Sequence, residues 1–392
     1  MSLETKMQLQ VDLSRVGNLM TWNRQIFSVV GLWPLNIDDR LFAFFFVYLA
    51  VHCSLECADL IQYIDHLDYV ISNLTENITM TMVLVKLGTF RLNAKRLCRV
   101  LEDIQGDYEI DRYKTREERL EFLKYNNMAK NFIKVAIPSM AMGTIMFYLK
   151  PVMGHMAKES ENSSTSRAIP YHIRLFFEIT EIQTYIIVYV CQMPIIPIVT
   201  FGYTGLDCLL VTLMLHLCGQ LSVLKHQVKN VMDDPEGYHH GMTQLIVKHV
   251  RLIRLAKSMD AAFNMLLLQQ LLGSTIAICF IGYKVLSDSE SGDKVYFITH
   301  LICVTSMIVT LFGYCFVGEC LINESVSLSD YLYSLDWYDI PTRHSKLLLT
   351  CISRAQSPLV LTAGRFYVFS LQSFTDVMKT SMAYLSVLRT FL

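Results

Sequence analysis

The residues best placed to do chemistry lie near the end of the chain. Ser373, Asp376, Thr380, Tyr384, Val387 and Phe391 recur at steps of three or four, so they fall on one helical stripe. The segment around them is an amphipathic candidate for a membrane span. A polar stripe there has to meet protein or water, because unpaired polar groups in lipid cost several kcal/mol. Two readings fit. One is a helix buried in a bundle. The other is a pore wall, wetted in its inner part by polar residues and closed near the outer end by apolar Val387 and Phe391 through dewetting. Asp376 and Lys379 stand three apart and can neutralise each other. Leu385 points off the stripe.

A second group could bind rather than conduct. Tyr185, Tyr189 and Gln192 share a face at helical spacing in one apolar run, and Phe147 and Tyr148 stand near Ser139 and Gly143 in another. Helix contacts or an interfacial aromatic belt would explain them. So would an apolar pocket with a few polar groups, suited to a small volatile molecule.

Other chemistry finds no support. The chain has no GxSxG, HExxH or P-loop, so an enzyme is not expected. His239 and His240, among Gly237, Gly241, Asp233 and Asp234, read as a flexible solvated loop rather than a metal site, and no metal or cofactor is expected. The 11 cysteines form no CxxC pair, which argues against a zinc ribbon or a disulfide scaffold. Asp111-Arg112-Tyr113 resembles a rhodopsin-type triplet, but it sits between the second and third apolar runs, and no NPxxY follows in the last.

The elements that would position these groups are long and apolar. Of 392 residues, 53% are hydrophobic and 18% charged, below the roughly 25% charged of a soluble domain. The formal net charge of −1 gives no basic face for nucleic acid. A spanning helix needs about 20 apolar residues. Ala261–Tyr283, Val295–Gly318 and Ile182–Leu206 hold 23, 24 and 25 residues without a charge. Val135–Leu149, Leu41–Leu55 and Tyr69–Val85 are shorter candidates. The seventh, about Gly364–Leu388, carries Arg365, Asp376 and Lys379. These runs predict an all-α membrane protein with seven transmembrane helices embedded in a lipid bilayer. Cys208–Leu224 is also uncharged. Continuous helix from Ile182 would reach roughly 65 Å, which predicts one long helix whose second half leaves the membrane, with kinks offered by Pro194, Pro197, Gly202 and Gly205.

Basic residues set the orientation. Alternate loops hold 24 against 7 Lys and Arg, which puts the N-terminus in the cytoplasm and the C-terminus outside. No cleavable leader is expected, so the first apolar run would direct insertion. Cytoplasmic stretches such as Lys86–Lys130, with Leu97, Val100, Leu101 and Ile104 at helical spacing, predict extensions that form an inner anchor domain. The division reads as a cytoplasmic segment over 1–40, six spans with the pocket and extensions over 41–321, and an anchor helix plus the pore-lining seventh span over 322–392. Asn162 lies in an outer-loop sequon open to glycosylation. Asn323 falls inside and should stay unmodified, while Asn73 and Asn77 sit close to the bilayer.

The C-terminal stretch carries a resemblance. Trp337-Tyr338, Lys346 to Leu349, Arg354 to Pro358, Leu361 to Gly364 and Lys379 to Arg389 closely resemble the insect odorant receptors, as does Trp33-Pro34 ahead of the first span. Gustatory relatives carry TY, five residues, then QF in the last span. Here Ala383, Tyr384, Thr390 and Phe391 stand at those positions, which favours an odorant receptor. The shared coreceptor has a longer inner loop between spans four and five, so the chain looks like a tuning subunit. The resemblance implies a ligand-gated, non-selective cation channel in the plasma membrane of olfactory neuron dendrites. It further implies a heterotetramer with the odorant receptor coreceptor, a pore lined by the last span and a pocket for a volatile odorant in the outer half. The rival reading is a G-protein-coupled receptor, which would place the N-terminus outside.

Overall fold

A computed structural model describes residues 20–65, 67–108, 113, 115–158, 168–177, 179, 181–229, 231, 238–335 and 342–391. A short helix over 20–28 leads into a tight loop. There Gly31 takes φ 70°, because a Cβ at that position would lie 2.8 Å from the Asp38 carbonyl oxygen. Trp33 is buried beside Phe27, with ring centroids 6.1 Å apart. Asp38 then caps α1 (Asp39–Gln62), its carboxylate accepting from the Arg40 and Leu41 amides at 3.1 and 3.2 Å.

The helices that follow are long. They are α2 (Leu67–Gln105), α3 (Arg116–Lys158), α4 (Ile182–Cys191), α5 (Thr204–Lys229), α6 (Tyr238–Ser291), α7 (Lys294–Tyr333), α8 (Thr342–Ala355) and α9 (Leu371–Phe391). Among the described residues, five helical stretches are long and apolar enough to cross a membrane: Asp39–Gln62, Arg116–Gly154, Ile182–Lys229, His239–Ser291 and Lys294–Tyr333. At 1.5 Å per residue, α2 and α9 would reach about 58 and 31 Å, long enough to span. Their internal charges, Glu76 and Lys86 in one and Asp376 and Lys379 in the other, keep them out of that apolar set.

The single long helix expected from Ile182 onward is instead broken. It stops at Gln192, makes a short turn over Ile195–Pro197, runs as π-helix over Ile198–Tyr203 and resumes as α5. Pro194 and Pro197 lack the N–H that would continue the ladder. Gly205 is required beyond the break, since a Cβ there would come within 2.8 Å of Ile26. The second part does pack against protein: α5 is buried from Thr204 to Lys225 and forms the axis around which α3, α6 and α7 wrap.

The last span also begins later than the sequence suggests. Residues 362–368 form a two-stranded hairpin of β1 (Thr362–Ala363) and β2 (Tyr367–Val368), antiparallel with Thr362 opposite Val368. Gly364 and Arg365 turn it with φ 60° and 70°. Asp260 on α6 anchors it, accepting from the Thr362 amide at 2.7 Å. The division expected at 321/322 falls inside α7. His239 and His240, expected on a flexible loop, open α6 instead. Asp233, Asp234 and Gly237 lie outside the described residues.

One end of the helices, around the α2–α3 connection, forms a polar bundle. Asp107 accepts from Arg251 Nη1 at 2.8 Å and meets His216 Nε2 at 3.2 Å. Tyr113, the described member of the triplet, donates to the Asp107 carbonyl at 2.6 Å and accepts from Gln220 at 2.7 Å. Asp111 and Arg112 lie outside the described residues. Glu324 accepts from Tyr125 at 2.7 Å and pairs with Lys225 at 2.6 Å. Burial would raise the Asp107 carboxyl, but His216 and Arg251 together hold it below the ordinary carboxylate value. Burial, with Arg354 nearby, lowers His249.

Candidate functional site

A cavity of about 80 Å³ lies among α2, α3, α6, α7 and the π-helical stretch. Phe147 and Tyr171 stack on one side, centroids 5.3 Å apart. Met80, Val199, Ile281 and Met307 supply much of the apolar wall. Polar residues line it too, but their hydrogens are spent elsewhere. Thr75 and Thr79 donate to the carbonyls four residues back at 2.7 and 2.9 Å, and Thr144 and Ser306 do the same at 2.8 and 2.9 Å. The hydroxyls therefore face their own helices, and the hole stays apolar. A water needs roughly 10–15 Å³ of such space, so the cavity has room for a small molecule.

The charged groups at its edge are also engaged. Glu76 accepts from the His172 amide and meets its Nδ1, both at 2.9 Å. Lys150 approaches Glu76 at 3.9 Å and sits 4.2 Å over the Phe147 ring. His300 Nδ1 is held by Asp288 at 2.6 Å.

Of the five binding residues expected from the sequence, only Phe147 lines this cavity. The other four stand behind it. Tyr148 donates to the Tyr189 carbonyl at 2.8 Å and Tyr189 returns the bond to the Tyr148 carbonyl, tying α3 to α4. Tyr185 donates to the Ala168 carbonyl at 2.9 Å. Gln192 accepts from the Tyr171 amide at 3.1 Å and donates to its carbonyl at 3.2 Å. These groups brace the wall; Gln192 holds Tyr171 in place. The resemblance implies a pocket among spans two to six, but the five residues named from the sequence include none from α2 or α7. Thr75, Glu76 and Thr79 on one helix, and His300, Ser306 and Met307 on another, were visible as polar or soft residues at helical spacing inside apolar runs.

Below the cavity is a buried polar knot. Lys86 donates to Asp207 and, at 3.1 Å, to Gln270; it lies 3.7 Å over the Tyr203 ring. Tyr203 donates to Gln270 at 2.7 Å and Tyr314 donates to Asp207. The knot binds α2, the π-helical stretch, α5, α6 and α7 together. Tyr314 packs edge-on to Phe369, centroids 6.0 Å apart, just ahead of α9. A second route is shorter. Ile281 of α6 lines the cavity, while a Cβ at the next residue, Gly282, would lie 3.3 Å from Leu385 of α9.

Helix α9 shows two unlike faces. Ser373, Val377 and Ser381 are buried against the protomer. Asp376, Thr380, Tyr384 and Val387 are exposed, Val387 by 54%. Ser373 lies on the expected stripe by angle, but the hairpin folds over the first turn, and its hydroxyl donates to the Val368 carbonyl at 2.6 Å. The pairing expected between Asp376 and Lys379 is not formed: Asp376 accepts instead from Gln372, four residues earlier on the same face, at 3.2 Å. The Phe391 side chain and Asn162 lie outside the described residues. Asn73 is buried and donates to Asp59 at 2.8 Å, and Asn77 is buried beside Cys57; neither leaves room for a glycan. Asn323 lies within α7. Among the described residues no group of three or more His, Cys, Asp or Glu could hold a metal ion.

Comparison with known proteins gives a consistent picture. Residues 66–382 match the family model described as "7tm Odorant receptor". The chain is similar to Odorant receptor 22c of Drosophila melanogaster, at 20% identity over 93% of this chain and 94% of that one. It is also similar to Odorant receptor 9a of the same species, at 22% identity over 92% of each chain. Its fold is that of the insect olfactory receptor OR5 from Machilis hrabei, with a TM-score of 0.78 at 14% identity, covering 95% of this chain and 98% of that one. The same protein solved in complex with eugenol matches equally, at a TM-score of 0.78 and 15% identity.

Proposed function

The chain belongs to the 7tm odorant receptor family, and on that premise we propose that it is the odorant-binding subunit of a ligand-gated, non-selective cation channel. Family membership makes it a multi-pass membrane receptor and not an enzyme. The proposal adds a topology of seven spans with the N-terminus in the cytoplasm and the C-terminus outside. It adds assembly as a heterotetramer with the odorant receptor coreceptor, and residence in the dendrites of olfactory neurons. It keeps 1–40, 41–321 and 322–392 as the cytoplasmic, ligand-binding and anchor-plus-pore segments, and Asn162 as a glycan site. A G-protein-coupled receptor of opposite orientation is not favoured.

The observation that carries the channel reading is the two-faced α9. One face is packed against α6 and α7, and the other presents Asp376, Thr380 and Tyr384 with no apolar cover. Lipid would penalise that face by several kcal/mol, so water or a neighbouring subunit suits it better. Toward the outer end it turns apolar at Val387 and Phe391, where a narrow ring would exclude water and ions until it widens.

The cavity supplies the ligand site. A small volatile molecule there, such as the eugenol named for the OR5 complex, would gain affinity from apolar burial at about 25 cal/mol per Å². Phe147 and Tyr171 would stack on it, and Tyr148, Tyr185, Tyr189 and Gln192 would hold the wall. Swelling of the cavity would push Ile281 and, through Gly282, the Leu385 side of α9. The π-helical stretch offers a compliant joint on the other side.

Current recording from cells co-expressing the coreceptor, with an odorant panel and tags at both ends, tests this. Odorant-gated cation current with only the C-terminal tag accessible on intact cells is expected. An accessible N-terminal tag would overturn the orientation. Odorant responses carried only by a G-protein pathway would overturn the channel.

A further inference from the structure

We propose that a groove between the inner ends of α2 and α6 binds the headgroup of an anionic phospholipid of the inner leaflet. It rests on the orientation proposed above, which puts these helix ends in the cytoplasm.

The groove encloses about 720 Å³ and is bordered by Arg96, Arg99, Arg254 and Lys257 over a floor of Val100 and Leu255. All four cations are exposed, and none forms an ion pair with a described residue. Neighbouring cations do. Arg91 pairs with Asp39 at 2.7 Å, and Arg251 is taken by Asp103 and Asp107. The one acid that lines the groove, Asp103, is therefore already matched by Arg251. A concave site keeps a surplus of positive charge at the cost of mutual repulsion. Such a surplus suits an anion, and guanidinium pairs suit a phosphate through fork-like hydrogen bonds.

Depth selects the source of that phosphate. Ala261 opens the longest charge-free run of α6 and so marks the inner edge of the hydrocarbon. Arg96 reaches up to it, its Nη1 donating to the Ala261 carbonyl at 3.2 Å. Lys257 lies four residues below, or about 6 Å along the helix, within a headgroup layer of roughly 5–7 Å per leaflet. One turn above Arg96, Leu92 is 86% exposed, an apolar side chain placed where acyl chains would meet it. Arg96 and Lys257 in the headgroup layer, Arg99 and Arg254 about a turn deeper, and an exposed leucine above them match a lipid, whose headgroup phosphates reach toward the water, better than a free phosphate, which has no use for the leucine. Clusters of Lys and Arg immediately cytoplasmic of a span are the recurring form of acidic-lipid sites.

The test uses the purified full-length chain in nanodiscs, which expose both faces and so do not depend on orientation. Nanodiscs of phosphatidylcholine alone are compared with nanodiscs doped with phosphatidylserine or phosphatidylinositol bisphosphate, and bound lipid is read by native mass spectrometry. Removing a basic residue near an anionic surface weakens binding about fivefold. The variant carrying Arg254→Gln and Lys257→Gln should therefore retain the acidic lipids about thirtyfold less tightly, with phosphatidylcholine unaffected. Lys257→Gln alone should show about a fivefold loss and guards against misfolding of the double variant. Lys124→Gln, which removes an exposed cation eleven residues below the apolar run that starts at Val135, should change retention little. Equal retention in groove and control variants would overturn the proposal. So would a loss matched by inorganic phosphate competing as well as lipid, which would assign the groove to a soluble anion.

Discussion

In the proposed orientation, the outer and inner halves of this molecule differ in how far buried charge ties one helix to another. Around the cavity, the Thr and Ser hydroxyls spend their hydrogen bonds on their own helices, and the one lining carboxylate, Glu76, is held at the edge by His172 and Lys150, leaving an apolar hole walled mainly by rings and methyls. In the inner bundle, buried carboxylates reach across helices: Asp107 to Arg251 and His216, and Glu324 to Lys225 and Tyr125. Apolar contacts are non-directional and tolerate small displacements, whereas a buried ion pair loses much of its worth when either partner moves. The outer half can therefore yield to a ligand while the inner half keeps its geometry. The knot of Lys86, Asp207, Gln270, Tyr203 and Tyr314 lies at the seam between them.

The contrast is broken most severely in the inner half. Asp107→Ala leaves Arg251 with Asp103 alone and removes the buried partner of His216, which should cost about 3 kcal/mol, read as a fall in thermal unfolding temperature of the detergent-solubilised chain. Thr144→Val, which loses only a bond to its own helix, should stay below about 1.5 kcal/mol. Similar losses in the two variants would erase the distinction.

At the seam, Lys86→Met alone leaves Asp207 buried without its cation. It should destabilise more than the double change of Lys86→Met with Asp207→Leu, which removes both charges. A double-mutant cycle in the same unfolding assay checks this. Strictly additive effects would mean the pair is not coupled.

Acid should act on the inner half first. The folded bundle keeps His249 below its ordinary value of 6.5, so the unfolded chain takes up a proton before the folded one does. That contribution to stability is complete above 6.5 and is lost as pH falls below it. Asp107, held low, loses its contribution only at still lower pH, below its ordinary 3.8. Unfolding temperature should thus fall from about pH 7 to about pH 5, and His249→Leu should flatten that slope.

The smallest effects on stability, with opposite effects on current, separate the two faces of α9. Val387→Ser alters an exposed position and should stay within about 0.5 kcal/mol, yet it should raise current without ligand by wetting the ring. Leu385→Ser, against Gly282, should cost about 1 kcal/mol of lost packing and blunt the response to odorant. Leu385 points off the stripe, and its place beside Gly282 of α6 is the reason an effect is expected there. Equal basal current, conductance and selectivity in the two variants would remove α9 from the pore.

Much of this architecture was legible in the sequence, because charge-free runs of more than 20 residues leave few alternatives to spanning or deeply buried helices. The stripe on α9 was legible as well, since helical periodicity alone puts Asp376, Thr380, Tyr384 and Val387 on one face. The cavity was legible only in part. Spacing shows which residues share a helix face, but not which faces from α2, α3, α6 and α7 meet. Tyr185, Tyr189 and Gln192 share a face as expected, yet their polar atoms are used by Ala168, Tyr148 and Tyr171. The hairpin over 362–368 was hidden because Phe366, Tyr367, Val368 and Phe369 read as the start of an apolar helix from about Gly364. The π-helical joint was hinted at by Pro194 and Pro197, which mark where a ladder fails but not what replaces it.

The most direct test of the account fills the cavity without touching its braces. Gly143 lines it, and a Cβ there would sit 3.5 Å from Ile302, an ordinary contact, so a leucine at this position would extend into the open space. Gly143→Leu is co-expressed with the coreceptor, and currents are recorded across an odorant panel alongside surface expression. The account predicts normal surface level, a functional channel, and potency reduced at least about tenfold for the larger active odorants, as expected when about 1.4 kcal/mol of burial is lost. Unchanged potency and ranking across the panel, at normal expression, would contradict it.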